Sequence, residues 1–254
     1  MTRSVSFDRA AADYDRTRGG EERGVRYAAI LDPLFGGRGL TLEVGVGTGI
    51  VARGLAALGR DVVGVDLSPA MLDLARTRLG SRVANGDAMK LPVRSEAVDD
   101  AYSVWVLHLV GDVAAVLAEV ARVLRPGGRY LVVTSVRRTG DPIGEVYEEL
   151  SRRLRGEQRG QDDTVRLEQA GAAARLRLRA VQAWEDFGFT MTPNAAVEEI
   201  EHRTHSYLWD LTDEQWRDVV VPALERLRSM PDPDTPIERR VVHDVVVLER
   251  LQDG

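Results

Sequence analysis

The chain has 254 residues, enough for one large α/β domain with a substantial appendage, and it has no cysteine, which excludes disulfides and thiolate metal ligands. A formal net charge of -6 leaves no general basic surface for a phosphate backbone, so a nucleic-acid partner is not expected. Residues 1–18 carry charges throughout, and apolar runs such as 104–110 fall far short of the roughly 20 residues that cross a bilayer. The expectation is a soluble, cytoplasmic protein with no export signal and no membrane span.

In chain order, residues 6–34 read as one or two helices, with Phe7, Ala11 and Tyr14 and then Val25, Ala28 and Ala29 at partial helical spacing. From 40 to 133 short apolar runs alternate with amphipathic stretches, the pattern of βα units feeding a parallel sheet. Strands are predicted at 41–44, 61–65, 82–85, 99–104 and 129–134, with helices in most gaps. Ser68 is placed as an N-cap with Pro69 at the first helical position, and the helix of 113–124 stops at Pro126-Gly127-Gly128. Beyond it, 137–183 is rich in Arg, Glu, Gln and Ala, with a polar link at 156–163. A short hairpin is predicted at 181–191, then a helix from Thr192 and Pro193 to about Trp209. Thr212 with Gln215 forms a capping box for another helix, and the Val- and Leu-rich tail 240–250 suits a final buried strand.

The most informative stretch is Thr41-Leu42-Glu43-Val44-Gly45-Val46-Gly47-Thr48-Gly49, an apolar strand that ends in a glycine-rich turn and opens a helix. Gly45 and Gly47 remove side chains where backbone must approach a ligand, and N–H groups at the helix start are expected to face it. The next strand ends in Asp66, about 20 residues on, where a carboxylate can accept both hydroxyls of a ribose. Asp66 also precedes a helix and suits its dipole. Asp87, after the third strand, can accept an adenine amine or serve as an ordinary turn aspartate. Ligands of open α/β sheets bind beyond the carboxyl ends of the strands, so these features converge on one crevice for an adenosine-like ligand. A dinucleotide turn wants its third glycine at 50, where Ile50 stands, and Glu43 beside the loop suits a cation better than a pyrophosphate. Both departures point to S-adenosylmethionine, whose product is S-adenosylhomocysteine.

Residues 42–133 resemble the core of the class I S-adenosylmethionine-dependent methyltransferases, in particular the ubiquinone/menaquinone-biosynthesis type with its methyltransferase-11-like domain. The resemblance is carried by Leu42 to Gly49, by Val63-Gly64-Val65-Asp66-Leu67-Ser68-Pro69-Ala70-Met71-Leu72, by Gly86-Asp87-Ala88 with Leu91-Pro92, and by Leu124-Arg125-Pro126-Gly127-Gly128. It implies a Rossmann-like fold, a seven-stranded mostly parallel sheet with an antiparallel last strand, which residues 244–250 can supply. It also implies roles. Gly45, Gly47 and Gly49 would pack on the cofactor's methionine and ribose, Asp66 would hold the ribose, Leu67 and Met71 would flank the adenine, and Asp87 with Ala88 would recognise its edge. Glu43 would orient the methionine amino group, and Val104 and Trp105 lie where the fourth strand reaches the cofactor. The segment from Phe7 to Asp15, with Arg18, is similar to the helix that closes over the cofactor, which brings Tyr14 and Arg18 to the site. The resulting division is a helical lid at 1–36, a cofactor-binding core at 37–136, helical and hairpin substrate-recognition elements at 137–236, and a final core strand at 237–254.

Methyl transfer is an in-line displacement on a reactive sulfonium, so alignment in a dry site supplies much of the catalysis. A base is needed only where the acceptor loses a proton, and His108 and Tyr14 are the candidates nearest the expected cofactor. His108 matches the first of a histidine pair often seen in the resembling family; the second position here is Leu109. His202 and His205 fall three apart on a predicted helix beside Glu198, Glu199 and Glu201, but no third ligand has fitting spacing, so no metal is assigned. The aromatic residues Trp184, Phe187, Phe189, Tyr207, Trp209 and Trp216 can line an acceptor pocket or simply pack a core. The expected function is methyl transfer to a small-molecule acceptor. The alternatives are a nicotinamide-dependent oxidoreductase, which would want glycine at 50, and a methyltransferase for RNA or protein, which would want a basic patch or a peptide groove.

Overall fold

The computed structural model describes Phe7, Asp15, residues 20–155 and residues 162–252. Tyr14 and Arg18 lie outside the described residues, as does most of the polar link. The chain divides into two compact units: Met1–Ser135 with Gln161–Gln182 and Val245–Gly254, and Val136–Gly160 with Ala183–Asp244.

In the first unit, helix α1 (Gly20–Leu31) precedes strand β1 (Leu40–Val44), helix α2 (Ile50–Ala57), β2 (Asp61–Asp66), α3 (Pro69–Leu79), β3 (Val83–Asn85), β4 (Val98–Val104) and α4 (Val113–Val123). Strand β5 (Leu124–Thr139), helix α6 (Thr164–Ala173), β6 (Leu176–Met191) and β7 (Ile237–Arg250) complete one seven-stranded sheet in the order β3-β2-β1-β4-β5-β7-β6. Strands β3, β2, β1, β4 and β5 pair in parallel, with Leu42 beside Val63 on one side and Ala101 on the other. Parallel strands covered on both faces need apolar residues at nearly every position, which is why Leu42 and Val44 are wholly buried. Strand β7 runs antiparallel: Leu251 N–H donates to Arg175 O at 3.0 Å, and Glu249 pairs with Arg177 at 3.2 Å, so its end lies beside the start of β6.

Two expectations change here. Pro126-Gly127-Gly128 does not precede β5 but lies within it, where the register slips between the pairs Val98–Leu124 and Asp100–Arg129 and Gly127 takes a positive φ of 81°. Residues 181–191 are not a hairpin; they continue β6, whose partner is the distant β7. Helix α1 is drawn against α2 by two glycines, since a Cβ on Gly24 would sit 2.4 Å from Ile50 O and one on Gly54 would sit 2.6 Å from Gly24 O. The core joins Leu42, Ala101, Leu117, Val120, Tyr130 and Leu167.

The second unit packs α5 (Pro142–Arg155), α7 (Pro193–Glu201) and α8 (Val221–Arg228) around Ile143, Val146, Ile200, Leu208, Leu224 and Leu227. Thr192 caps α7 by accepting from Ala195 N–H at 3.0 Å. The helix ends well before Trp209, because Arg203 adopts a left-handed φ of 52° and its N–H turns back to Ile200 O at 3.0 Å. The capping box at Thr212 and Gln215 forms with both hydrogen bonds, at 3.0 and 3.1 Å. From there a π-helical turn, Trp216–Val220, leads into α8. Pro222 explains the turn: it lacks the N–H that would reach Asp218 O, and Arg153 donates to that carbonyl instead, at 3.1 Å.

Candidate active site

The strand order reverses at β1, so the carboxyl ends of β1, β2 and β4 surround a crevice. The turn after β1 carries left-handed φ values of 76°, 54° and 80° at Gly45, Gly47 and Gly49. Their surroundings differ. A Cβ on Gly45 would meet Val106 at 2.4 Å and one on Gly49 would meet Leu79 at 3.1 Å, whereas one on Gly47 would enter open space. Gly45 and Gly49 thus allow the turn to pack against the protein, and Gly47 is the glycine that leaves the crevice free.

The N–H groups of this turn do not face the crevice as expected. Gly45 and Val46 both donate to Val65 O, at 2.8 and 3.0 Å, and Gly49 donates to Val46 O at 2.9 Å. Gly47 donates to Asp66 Oδ2 at 2.7 Å, while Asp66 Oδ1 accepts from Ser68 N–H at 2.8 Å. The Asp66 carboxylate therefore ties the glycine turn to the cap of α3, where Ser68 accepts from Met71 N–H at 3.2 Å. Next to it, Leu67 is 37% exposed and Met71 is buried. Asp87 closes its own turn by accepting from Met89 N–H at 2.8 Å, with the partly buried Ala88 between them.

Glu43 is 2% exposed and accepts from the Tyr102 hydroxyl at 2.7 Å. Burial pushes its carboxyl up to about 8, with Tyr102 opposing the rise and the charge of Asp66 adding to it. Burial, and then Glu43 itself, push the Tyr102 hydroxyl well above its usual range. At the end of β4, Val104 is half-buried and Trp105 takes a left-handed φ of 55°. The Trp105 N–H donates to Val133 O at 3.1 Å, the Tyr27 ring meets the indole edge-on at 5.5 Å, and the Arg23 guanidinium lies 5.1 Å from it.

Three contributors are not evident from local sequence. Asp15 accepts from the Thr48 hydroxyl at 2.5 Å and from Arg78 at 2.7 Å, beside the glycine turn. Arg23, buried in α1, brings a cation to Trp105. Asp162 brings a fully buried carboxylate to 4.0 Å from His108 Nδ1. Each meets its partner across a long stretch of chain, so no local pattern signals it.

The other candidates lie in the second unit. His202 is at the end of α7 with Nδ1 2.8 Å from Glu198 O, and His205 is past the helix, so the two share no helical face. Among the described residues no group of three or more potential ligands could hold a metal ion. His205 stacks on Tyr207 and Trp184 on His243, Trp209 Nε1 donates to Arg203 O at 2.7 Å, and Arg203 lies over Trp216. The side chains of Phe187 and Phe189 lie outside the described residues.

The sheet and its reversal at β1 define a Rossmann-like domain. Residues 42–132 match the family described as the methyltransferase domain. Over 97 residues the chain is 40% identical to demethylmenaquinone methyltransferase of Tropheryma whipplei (strain Twist), covering 36% of this chain and 39% of that protein. Over 146 residues it is 32% identical to malonyl-[acyl-carrier protein] O-methyltransferase of Serratia marcescens, covering 57% of each. It thus spans between about two-fifths and three-fifths of these relatives' length. In fold it is similar to phosphoethanolamine N-methyltransferase 2 of Haemonchus contortus, solved with phosphomonomethylethanolamine and S-adenosylhomocysteine, at 20% identity and a TM-score of 0.55, covering 96% of this chain and 58% of that one. The matched segment, 42–132, is similar to the class I S-adenosylmethionine-dependent methyltransferases.

The residues present fit the cofactor of that family. Gly47 leaves open space for a ligand against the backbone, and the Glu43 carboxyl has the chemistry to meet an ammonium. A pyrophosphate fits poorly, because four N–H groups of the turn are already donated within the protein. No helix among the described residues is long and apolar enough to cross a membrane.

Proposed function

We propose that this protein is a methyltransferase that transfers the methyl group of S-adenosylmethionine to a small-molecule acceptor. The observation that carries the reading is the Asp66 carboxylate, which holds Gly47 N–H and so leaves a crevice suited to a nucleoside while removing the turn donors that a dinucleotide would use. Asp66 meets the ribose hydroxyls. Leu67 and Met71 flank the adenine, Asp87 and Ala88 meet its edge, and Glu43 orients the methionine ammonium. Val104 and Trp105 form the floor beneath the reacting end.

When bound, S-adenosylmethionine supplies a methyl group on a positively charged sulfur. The chain's part is to align the acceptor with that methyl and to exclude water, using the Trp105–Tyr27–Arg23 contact as a wall. The acidic composition supports a small metabolite over RNA. The names of the two curated relatives, one acting on demethylmenaquinone and one on a malonyl thioester, support an acceptor of modest reacting size. The test is methyl transfer from radiolabelled S-adenosylmethionine to a metabolite panel, to total RNA and to a protein extract. Label confined to the metabolites is the expected result; label in RNA or protein would overturn the acceptor class.

A further inference from the structure

We infer that Tyr102 is a positioning residue for cofactor binding: its hydroxyl holds the Glu43 carboxyl for the ammonium of S-adenosylmethionine, and the cofactor enters as that carboxyl gives up a proton. This rests on the methyltransferase reading above and adds to it a residue and a proton. Glu43 lies opposite Tyr102 in the register of β1 with β4 and opposite Gly64 in the register of β1 with β2. Residues opposite one another in a sheet share a face, so Glu43 has a phenol on one side and no side chain on the other. A Cβ on Gly64 would meet Val46 of the glycine turn at 2.6 Å, so that side belongs to the turn.

The Tyr102 hydroxyl donates to Glu43 Oε2 at 2.7 Å, with Tyr102 wholly buried and Glu43 nearly so. The Phe35 ring meets the phenol edge-on, with centroids 5.7 Å apart, which restrains the donor. Around the carboxyl, Asp66 of β2 opposes its ionisation, while Arg23 of α1 and the Ala52 N–H in the first turn of α2 favour it. Burial outweighs these and keeps the proton on up to about 8. The Tyr102 hydroxyl, pushed well above its usual range by burial and then by Glu43, stays a donor throughout.

A carboxyl in such a place ionises when a cation arrives to replace water as its partner. Glu43 stands two residues before Gly45, at the sheet end where Gly47 leaves open space. The amino-acid end of S-adenosylmethionine brings an ammonium to that turn. On binding, the ammonium keeps its protons, the Glu43 O–H bond breaks, and the proton leaves to solvent. Tyr102 then holds the carboxylate by a charge-assisted hydrogen bond, which fixes the direction it presents to the ammonium. The tyrosine acts through Glu43 and takes no part in the transfer itself. A ligand with the adenosine and the thioether but no amino-acid end has nothing to draw the proton off.

The test is calorimetry with S-adenosylhomocysteine and with 5′-methylthioadenosine, which lacks the ammonium, for the wild type, Tyr102→Phe and Glu43→Gln, each checked for an intact melting transition. Titrations at pH 7 in two buffers of different ionisation enthalpy count the protons. The wild type should release about 0.9 proton per S-adenosylhomocysteine, the share of Glu43 still protonated one unit below 8, and about none with 5′-methylthioadenosine. Its affinity for S-adenosylhomocysteine should rise roughly tenfold from pH 6 to pH 7. Tyr102→Phe removes the donor that favours the carboxylate. It should bind S-adenosylhomocysteine about tenfold more weakly at pH 7, with its pH dependence moved upward, while binding 5′-methylthioadenosine within about twofold of the wild type. Glu43→Gln should bind with no proton released. Equal losses for both ligands in Tyr102→Phe would make the tyrosine merely structural and overturn the proposal, as would wild-type binding of S-adenosylhomocysteine without proton release. Failure of the wild type to bind S-adenosylhomocysteine at all is a different result, one that removes the methyltransferase reading and this inference with it.

Discussion

In the first unit, two acidic groups of the sheet, Asp66 and Asp100, are met by backbone. Asp66 accepts from Gly47 and Ser68 N–H, and Asp100 accepts from the N–H groups of Gly36, Gly37 and Arg129 at 3.2, 3.3 and 3.0 Å. In the second unit, Asp141 and Glu199 are met by side chains, Asp141 also accepting from Gly144 N–H at 2.7 Å. Asp141 pairs with Arg239 at 2.7 Å with both 5% exposed, and Glu199 is approached by the Tyr147 hydroxyl at 3.0 Å and by His205 Nε2 at 3.4 Å. Burial, and then the charge of Glu199, push the Tyr147 hydroxyl well above its usual range. A backbone-held carboxylate needs only the right turn after the right strand, so local sequence specifies it. A side-chain pair depends on two distant residues choosing each other, and its loss strands a charge.

The largest effect should therefore fall on the second unit. Arg239→Ala leaves Asp141 buried without its cation and should cost about 3–5 kcal/mol in chemical denaturation, most of it recovered when Asp141→Leu and Arg239→Met are combined. In the first unit, Gly45→Ala drives a methyl into Val106 at a left-handed φ and should cost roughly 1–3 kcal/mol. Gly47→Ala meets nothing, so it should cost only about 1 kcal/mol of stability while clearly weakening S-adenosylhomocysteine binding by calorimetry. Equal binding by both glycine variants would erase the distinction drawn between them.

Glu43 sharpens the comparison through pH. The folded protein keeps its proton up to about 8, whereas the unfolded chain releases it near the ordinary carboxyl value of 4.5. The unfolded state therefore binds fewer protons across that window, and Glu43 makes the folded state lose stability as pH rises through it. Glu43→Gln removes this decline. The difference in melting temperature, variant minus wild type, should grow from pH 5 to pH 9, and a flat difference would contradict the burial argument. The smallest effect belongs to Thr212→Ala, which loses one capping box in the second unit and should cost about 1 kcal/mol by thermal denaturation.

The same contrast explains what sequence could and could not reveal. Strands β1, β2 and β4, the Ser68 cap and the Thr212 box follow from patterns within a few residues, and so does the place of Glu43 and Asp66 at the strand ends. Strand β6 did not, because Trp184 and the residues around it read as a hairpin until β7 is known to be their partner. Helix α7 was read too long because nothing in the sequence marks Arg203 as left-handed; an arginine takes that conformation only where its surroundings hold it there. At the candidate site, the pairing of His108 with Asp162 and of Asp15 with Thr48 spans separate elements, and neither partner announces the other.

The central claim is that the Asp66 crevice holds S-adenosylmethionine. Calorimetry of the wild type with S-adenosylmethionine, S-adenosylhomocysteine and a nicotinamide dinucleotide, beside Asp66→Ala checked for an intact melting transition, tests it directly. The account predicts binding of both sulfur compounds, none of the dinucleotide, and loss of at least about 100-fold in affinity on substitution, since a charged acceptor of two hydroxyls is removed. Binding of the dinucleotide alone, or sulfur-compound binding that Asp66→Ala leaves unchanged, would contradict it.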